Sequence, residues 1–245
     1  MDHNCCKSRL GPCGSKEAAD NRLFREWDAY EKVVRNDYMH HRDFFAALAC
    51  EVENRLDGPL WLVDLGCGDC GPVMPLFERF DIGGYVGIDE SETALARARS
   101  RLAKMPCPSE LRRGSMIEEL HRIQGCHNLV LASYSLYHLS REQKQEVLEQ
   151  SRRLLRRDGI LAVVDIFLED KESPERYMER WVDHARRNFS ALSAEEMQAL
   201  LAHVYWHDIP ETVSVYRRLG RAAGFERFTT LLQDRKRLNR LVVSY

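Results

Sequence analysis

Ten residues constrain this chain more than any others: Leu62-Val63-Asp64-Leu65-Gly66-Cys67-Gly68-Asp69-Cys70-Gly71. An apolar strand runs directly into a turn whose glycines are spaced G-x-G-x-x-G. With no Cβ on those glycines, backbone can come close to a bound nucleotide. A second apolar run, Gly84-Tyr85-Val86-Gly87-Ile88, ends at Asp89, 23 residues after Gly66. That is the distance at which an acid on the next strand reaches a ribose. The pair implies a nucleotide-type cofactor.

The rest of the chain supplies the strand and helix rhythm such a site needs. Strands are expected at Leu60 to Leu65, Tyr85 to Ile88, Asn128 to Ala132 and Gly159 to Phe167, with a weakly written one at Glu110 to Arg113. Between them, helical spacing puts Val73, Leu76 and Phe77 on one helix, with Pro72 in its first turn. Ser91 caps the helix through Ala94, Leu95, Ala98 and Leu102, and another runs from Arg141 to Leu155. Strand, helix, strand, helix at this rhythm gives a mostly parallel sheet covered on both faces.

Ahead of the first strand, two helices are expected, one from Asp20 carrying Leu23, Trp27, Tyr30, Val33 and Val34, and one from Asp43 to Leu56. The rhythm breaks after Phe167. A helical insertion is expected over about 168–212, with Ser193-Ala194-Glu195-Glu196 as a capped helix start. A helix from Val213 to Ala223 and candidate strands at Phe228 to Leu232 and Leu241 to Val243 close the chain, the strands as a hairpin at the sheet edge. The expected organisation is a leader without fixed structure at 1–19, a helical cap at 20–57 and a core at 58–245.

Composition narrows the function classes. Apolar and charged fractions of 44% and 30% are ordinary for a soluble protein. A formal charge of -2 does not argue for a nucleic-acid surface. No apolar run approaches a membrane span, and the N-terminus lacks a signal peptide's apolar core, so a cytoplasmic location is expected. The eight cysteines are scattered, which does not read as a disulfide framework. Cys5, Cys6 and Cys13 fall in the leader, and Cys67 and Cys70 bracket the glycine turn, where small side chains suit cofactor binding better than redox chemistry. No close His, Cys and Asp set has convincing metal-ligand spacing, so no metal is expected.

Asp64 decides between cofactors. A fixed carboxylate beside a pyrophosphate would repel it, whereas it suits a ligand bearing an ammonium group. Here the residues carry a family resemblance. Val63-Asp64-Leu65-Gly66-Cys67-Gly68 resembles the first motif of the class I S-adenosylmethionine-dependent methyltransferases, and Val86-Gly87-Ile88-Asp89-Glu90-Ser91 their second. Leu219-Gly220-Arg221-Ala222-Ala223-Gly224-Phe225 is a looser match to the turn before their antiparallel sheet edge.

The resemblance implies an α/β, Rossmann-like three-layer αβα sandwich with a seven-stranded, mostly parallel sheet. It implies S-adenosyl-L-methionine as cofactor, leaving S-adenosyl-L-homocysteine as product. Gly66, Cys67 and Gly68 would hold the methionine part, with Asp64 near its ammonium group. Asp89, with Glu90 beside it, would take the ribose hydroxyls. Ser115 and Met116 stand where the family often has an acid near the adenine amine. Ala132 to Tyr134 would flank the reacting centre. An N-terminal segment often closes over the cofactor, which would bring in Tyr38 or His41.

Methyl transfer from a sulfonium is a direct displacement, and a general base is needed only when the acceptor keeps its proton at neutral pH. Three clusters compete for the acceptor. In Tyr38-Met39-His40-His41-Arg42, Tyr38 or His41 lines the pocket, or Tyr38 packs as an ordinary aromatic. In the second, Tyr134 is the nearer to the strand end, while His138 is either a general base or a partner for the next helix start. In Tyr205-Trp206-His207-Asp208-Ile209-Pro210-Glu211, His207 or Asp208 contacts the acceptor, or the segment is a linker. The favoured activity is methyl transfer to an oxygen, nitrogen or sulfur of a small organic molecule by a monomer or homodimer. Methylation of protein or RNA is the alternative, as is a non-catalytic cofactor-binding subunit. The Arg152-Arg153, Arg156-Arg157 and Arg235-Lys236-Arg237 runs read as solvated faces.

Overall fold

Every strand expected from the apolar runs joins one sheet. In a computed structural model the described residues are 27–245; the leader, its cysteines and the helix onset at Asp20 lie outside them. Along the chain, α1 (Trp27–Arg35) and α2 (His41–Arg55) precede β1 (Leu60–Leu65), α3 (Met74–Arg79), β2 (Ile82–Asp89), α4 (Glu92–Leu102) and β3 (Ser109–Arg113). There follow α5 (Met116–Arg122), β4 (His127–Ser133), a 3-10 turn at Leu136–His138, α6 (Arg141–Leu154) and β5 (Leu155–Leu168). The remainder comprises α7 (Pro174–Asn188), α8 (Ala194–His207), β6 (Glu211–Thr212), α9 (Val213–Ala222), β7 (Phe228–Gln233) and β8 (Asn239–Ser244).

The sheet order is β3-β2-β1-β4-β5-β8-β7, with the short β6 paired to the end of β5. All neighbours are parallel except β8, which runs antiparallel to both β5 and β7. Period-2 alternation divides the two faces. Val63, Leu65, Val130, Ala132, Leu161 and Val163 face a fully dry layer with Leu120 of α5, Val147 and Leu148 of α6 and Tyr216 of α9. Leu62, Asp64 and Tyr85 alternate to the other face, where Phe77 of α3 meets the Tyr85 ring edge-on at 5.2 Å.

Two compact units divide the described chain: 27–39 with Glu172–Ile209, and His40–Lys171 with Pro210–Tyr245. The expected N-terminal cap is therefore split, since α1 groups with α7 and α8 whereas α2 groups with the sheet. In the helical unit, Lys32 Nζ bridges both carboxylate oxygens of Glu196 at 2.7 and 2.9 Å. Ser193 and Glu196 form the expected capping box: Ser193 Oγ accepts from the Glu196 amide, and Glu196 Oε2 accepts from the Ser193 amide.

Several element boundaries differ from the sequence reading. The helix after the glycine turn starts at Met74, so Pro75 rather than Pro72 occupies its first turn. The turn itself consumes the intervening residues, with Cys70 at φ 60°. β5 begins at Leu155, because Leu155 pairs with His127 before a bulge lifts the exposed Arg157 and Asp158 out of register. The weak alternation of β3 reflects its place as the edge strand, with Ser109, Glu110 and Arg113 exposed.

Candidate functional site

The carboxyl ends of the parallel strands are where an open α/β sheet offers a crevice. Here that end is built from the β1–α3 turn, the end of β2, the β3–α5 junction and the residues after β4. The glycine turn folds back on β2: the amides of Gly66 and Cys67 both donate to the Ile88 carbonyl, at 2.8 and 2.9 Å. Gly66 has φ +69°, and a Cβ there would lie 2.6 Å from Ser135 Cβ. Only glycine meets both demands. Gly68, also left-handed at φ 55°, donates its amide to Asp89 Oδ2 at 2.9 Å.

Asp89 accepts a second bond, from the Ser91 amide to Oδ1 at 2.8 Å, while Ser91 caps α4 through the Ala94 amide. Burial raises the Asp89 carboxyl above the usual carboxylate range, and the Ser91 and Gly68 amides oppose that shift. Each of its oxygens keeps a second lone pair for an incoming hydroxyl. Asp89 also ties in β3, because its carbonyl accepts from the Gly114 amide at 3.1 Å. Met116 reaches the glycine turn, with its Cε 3.8 Å from where a Gly66 Cβ would stand. Arg101 of α4 clamps the far side of the turn, pairing with the Asp69 carboxylate and donating to the Asp69 carbonyl at 3.0 Å.

Asp64 lies beneath this turn, 3% exposed, and accepts from the Tyr85 hydroxyl at 2.9 Å. The same hydroxyl is 3.0 Å from Cys70 Sγ. Burial pushes Asp64 up to about 7, the Tyr85 hydrogen bond opposes the shift, and the Asp89 charge adds to it. Cys67 packs its sulfur near Gly87, and its thiol is raised first by the Cys70 hydrogen bond and then by burial. Cys67 and Cys70 are both buried free thiols.

Two residues from separate sequence clusters meet at the end of β4. Tyr134 has φ 52°, rare for an aromatic residue, and is fixed by its amide donating to the Val164 carbonyl at 2.7 Å. Its ring centroid lies 4.9 Å from that of His41, the first residue of α2. His41 is 6% exposed, and burial lowers its pKa to about 4, with His40 adding a smaller push. His41 Nδ1 and Ser133 Oγ are buried with no hydrogen-bond partner among the described residues.

Ala132 is buried in the packed layer of the opposite face. Glu90 is exposed, and Ser115 occupies the N-cap of α5 without a side-chain capping bond. His138 is exposed in the 3-10 turn, its ring 4.1 Å from that of Tyr137. Tyr38 stays in the helical unit, stacked on Phe189 at 4.5 Å, with its hydroxyl accepting from the Ala191 amide at 2.9 Å. His207 ends α8 in the same unit, 4.8 Å ring to ring from His203, one turn earlier. Two contributors escaped the sequence reading: Tyr85 reads there only as part of an apolar strand, and Ser135 has no role. Ser135 Oγ holds the Leu65 carbonyl at 2.7 Å and fixes the turn from below.

The fold and this strand-end site are similar to those of class I, S-adenosylmethionine-dependent methyltransferase domains. Residues 62–159 match the family model described as a methyltransferase domain. Over 48 residues, 20% of this chain, the sequence is 46% identical to trans-aconitate 2-methyltransferase of Acidovorax sp. strain JS42. The match spans 19% of that relative's own length. Among solved structures, a putative methyltransferase in complex with the Haloferax volcanii Trm112 methyltransferase activator superposes with a TM-score of 0.60 at 14% identity, covering 95% of this chain and 98% of that one. Human N-acetylserotonin methyltransferase gives 0.60 at 12% identity, covering 94% and 59%. At such identities these structures speak for the fold alone.

The residues present fit the cofactor that this class uses. A carboxylate raised to about 7, with no cation among the groups that shift it, suits a ligand ammonium. The left-handed glycines, the Asp89 lone pairs and the Met116 side chain suit the remaining parts.

Proposed function

We propose that this chain transfers the methyl group of S-adenosylmethionine to an oxygen, nitrogen or sulfur atom of a small organic molecule. The observation that carries the reading is the closure of the glycine turn onto Asp89, through the 2.9 Å bond from the Gly68 amide. When bound, S-adenosylmethionine supplies an already activated methyl group. Asp89 would hold the ribose hydroxyls, Gly66 to Gly68 the methionine part with Asp64 towards its ammonium, and Met116 would pack on the adenine.

What the protein must add is alignment and exclusion of water. Tyr134 and His41 form an aromatic wall beside the strand end, and Ser133 Oγ and His41 Nδ1 offer the acceptor two polar atoms. His41 is neutral through the physiological range, so a ring nitrogen can accept a hydrogen bond from an acceptor hydroxyl or amine. His138 and His207 remain candidates for acceptor contact. The local identity to trans-aconitate 2-methyltransferase supports a small-molecule acceptor over protein or RNA. Among the described residues no helix is long and apolar enough to cross a membrane, and we read the chain as a cytoplasmic monomer or homodimer with no nucleic-acid partner.

Calorimetric titration with S-adenosylhomocysteine tests the cofactor half of the reading. Saturable binding that Asp89→Ala weakens at least about tenfold, with the thermal melt retained, supports it. Unchanged affinity in that variant contradicts it.

A further inference from the structure

At the opposite end of the sheet, near the start of β7, a cleft of about 240 Å³ opens between α9 and the edge strand. The register places it there: Phe228 pairs with Ser244, which pairs with Leu161 early in β5. The strand-end site lies beyond the other end of β5. Three arginines line the cleft. Arg217 and Arg221 stand one turn apart on α9, and Arg227 comes from the loop before β7. All three are exposed, and none forms an ion pair among the described residues. Glu226 is the one carboxylate in the lining, and Phe225 and Phe228 supply an apolar floor.

Basic residues near a helix C-terminus have an ordinary explanation in the helix dipole. That accounts for Arg221, but not for Arg227, which belongs to no helix yet faces the same cleft. Like charges at i and i+4 also cost a helix a few tenths of a kcal/mol. Arg152 marks the contrast: its guanidinium is used internally, lying 5.7 Å from the Phe225 ring centroid and donating to the Leu155 and Arg156 carbonyls. Three guanidiniums against one lining carboxylate leave the cleft with an excess of positive charge in a chain whose formal charge is -2. Guanidinium forks match phosphate oxygens in pairs.

We propose that this cleft binds the phosphoryl group of a small phosphorylated ligand, at a site separate from the methyl-transfer site. Its volume suits one or two phosphoryl groups.

The test is calorimetric titration of the full chain with inorganic pyrophosphate at low salt. Wild type is expected to bind saturably, with Arg217→Ala/Arg221→Ala, and separately Arg227→Ala, weakening binding about tenfold or more. Arg235→Ala, in the β7–β8 turn at the other end of the hairpin, is expected to bind like wild type. No saturable binding, equal binding by the cleft variants, or equal weakening by Arg235→Ala overturns the proposal. So does an oligoribonucleotide that binds far more tightly than pyrophosphate through the same arginines, which would assign the cleft to a polymer backbone. S-adenosylhomocysteine titrated against the same variants keeps the two sites distinguishable, since its affinity is expected to be unchanged.

Discussion

His41 and Tyr134 lie with ring centroids 4.9 Å apart and planes inclined by 60°, although 93 residues separate them in sequence. One opens α2 and the other follows β4 in a left-handed backbone. Their contact ties the helix before the sheet to the strand end where chemistry is expected.

His41 carries a pH signature. Its folded pKa is about 4, below the ordinary 6.5, because burial disfavours the cation. The stability of its neutral form is therefore present above 6.5 and is lost as pH falls towards 4. Wild type is expected to lose about 2–3 kcal/mol from this group between pH 7.5 and 4.5. Chemical denaturation at both pH values should show a smaller loss for His41→Gln than for wild type.

Asp64 acts with the opposite sign. Its folded pKa of about 7 exceeds the ordinary 3.8, so the folded state holds the proton more tightly. That contribution is full below 3.8 and is lost as pH rises through 7. Asp64→Asn keeps an acceptor for the Tyr85 hydroxyl but cannot ionise. Its stability relative to wild type is expected to be about 2 kcal/mol more favourable at pH 8 than at pH 5. A pH-independent difference between the two proteins would show that Asp64 is not the buried titrating group.

Gly66 faces two penalties on gaining a Cβ. The left-handed backbone at φ +69° alone costs an L-residue about 1–2 kcal/mol, and the 2.6 Å approach to Ser135 Cβ adds to that. Gly66→Ala is expected to melt lower and to bind S-adenosylhomocysteine more weakly. Adding Ser135→Gly should recover part of the loss, because it removes the clash and leaves the strain; a strictly additive double variant would deny the contact.

Much of the frame was legible in the sequence. The bounds of β1 agree to the residue, since turn-forming Gly58-Pro59 precede it and Gly66 follows. The caps at Ser91 and Ser193 were visible because capping is a local pattern of a few residues. The glycine turn was legible where backbone makes it, at Gly66 and Gly68 closing onto Asp89. Meetings of distant side chains were not: no local rule brings His41 to Tyr134, or Ser135 beneath Gly66. The resemblance left Tyr38 as either a pocket residue or an ordinary packed aromatic, and in the helical unit its ring stacks on Phe189. Lys144, to which the sequence assigned no role, is fully buried with its ammonium donating to the Leu139 carbonyl.

Asp89 separates recognition from folding more sharply as an amide. Asp89→Asn keeps one carbonyl oxygen for a backbone amide but gives up a charged acceptor. S-adenosylhomocysteine affinity is expected to fall at least about tenfold, with a small change in melting temperature. A fall in melting temperature without loss of affinity would make Asp89 a fastener of the glycine turn alone.

Methyl-labelled S-adenosylmethionine, incubated with the purified chain and a cell extract split into small-molecule, protein and nucleic-acid fractions, tests methyl transfer to a small acceptor most directly. Label is expected in the small-molecule fraction, absent with Asp89→Ala, and mass analysis of the product would give its chemical class. Label confined to protein or RNA, or no transfer by a chain that binds S-adenosylhomocysteine, would contradict the account.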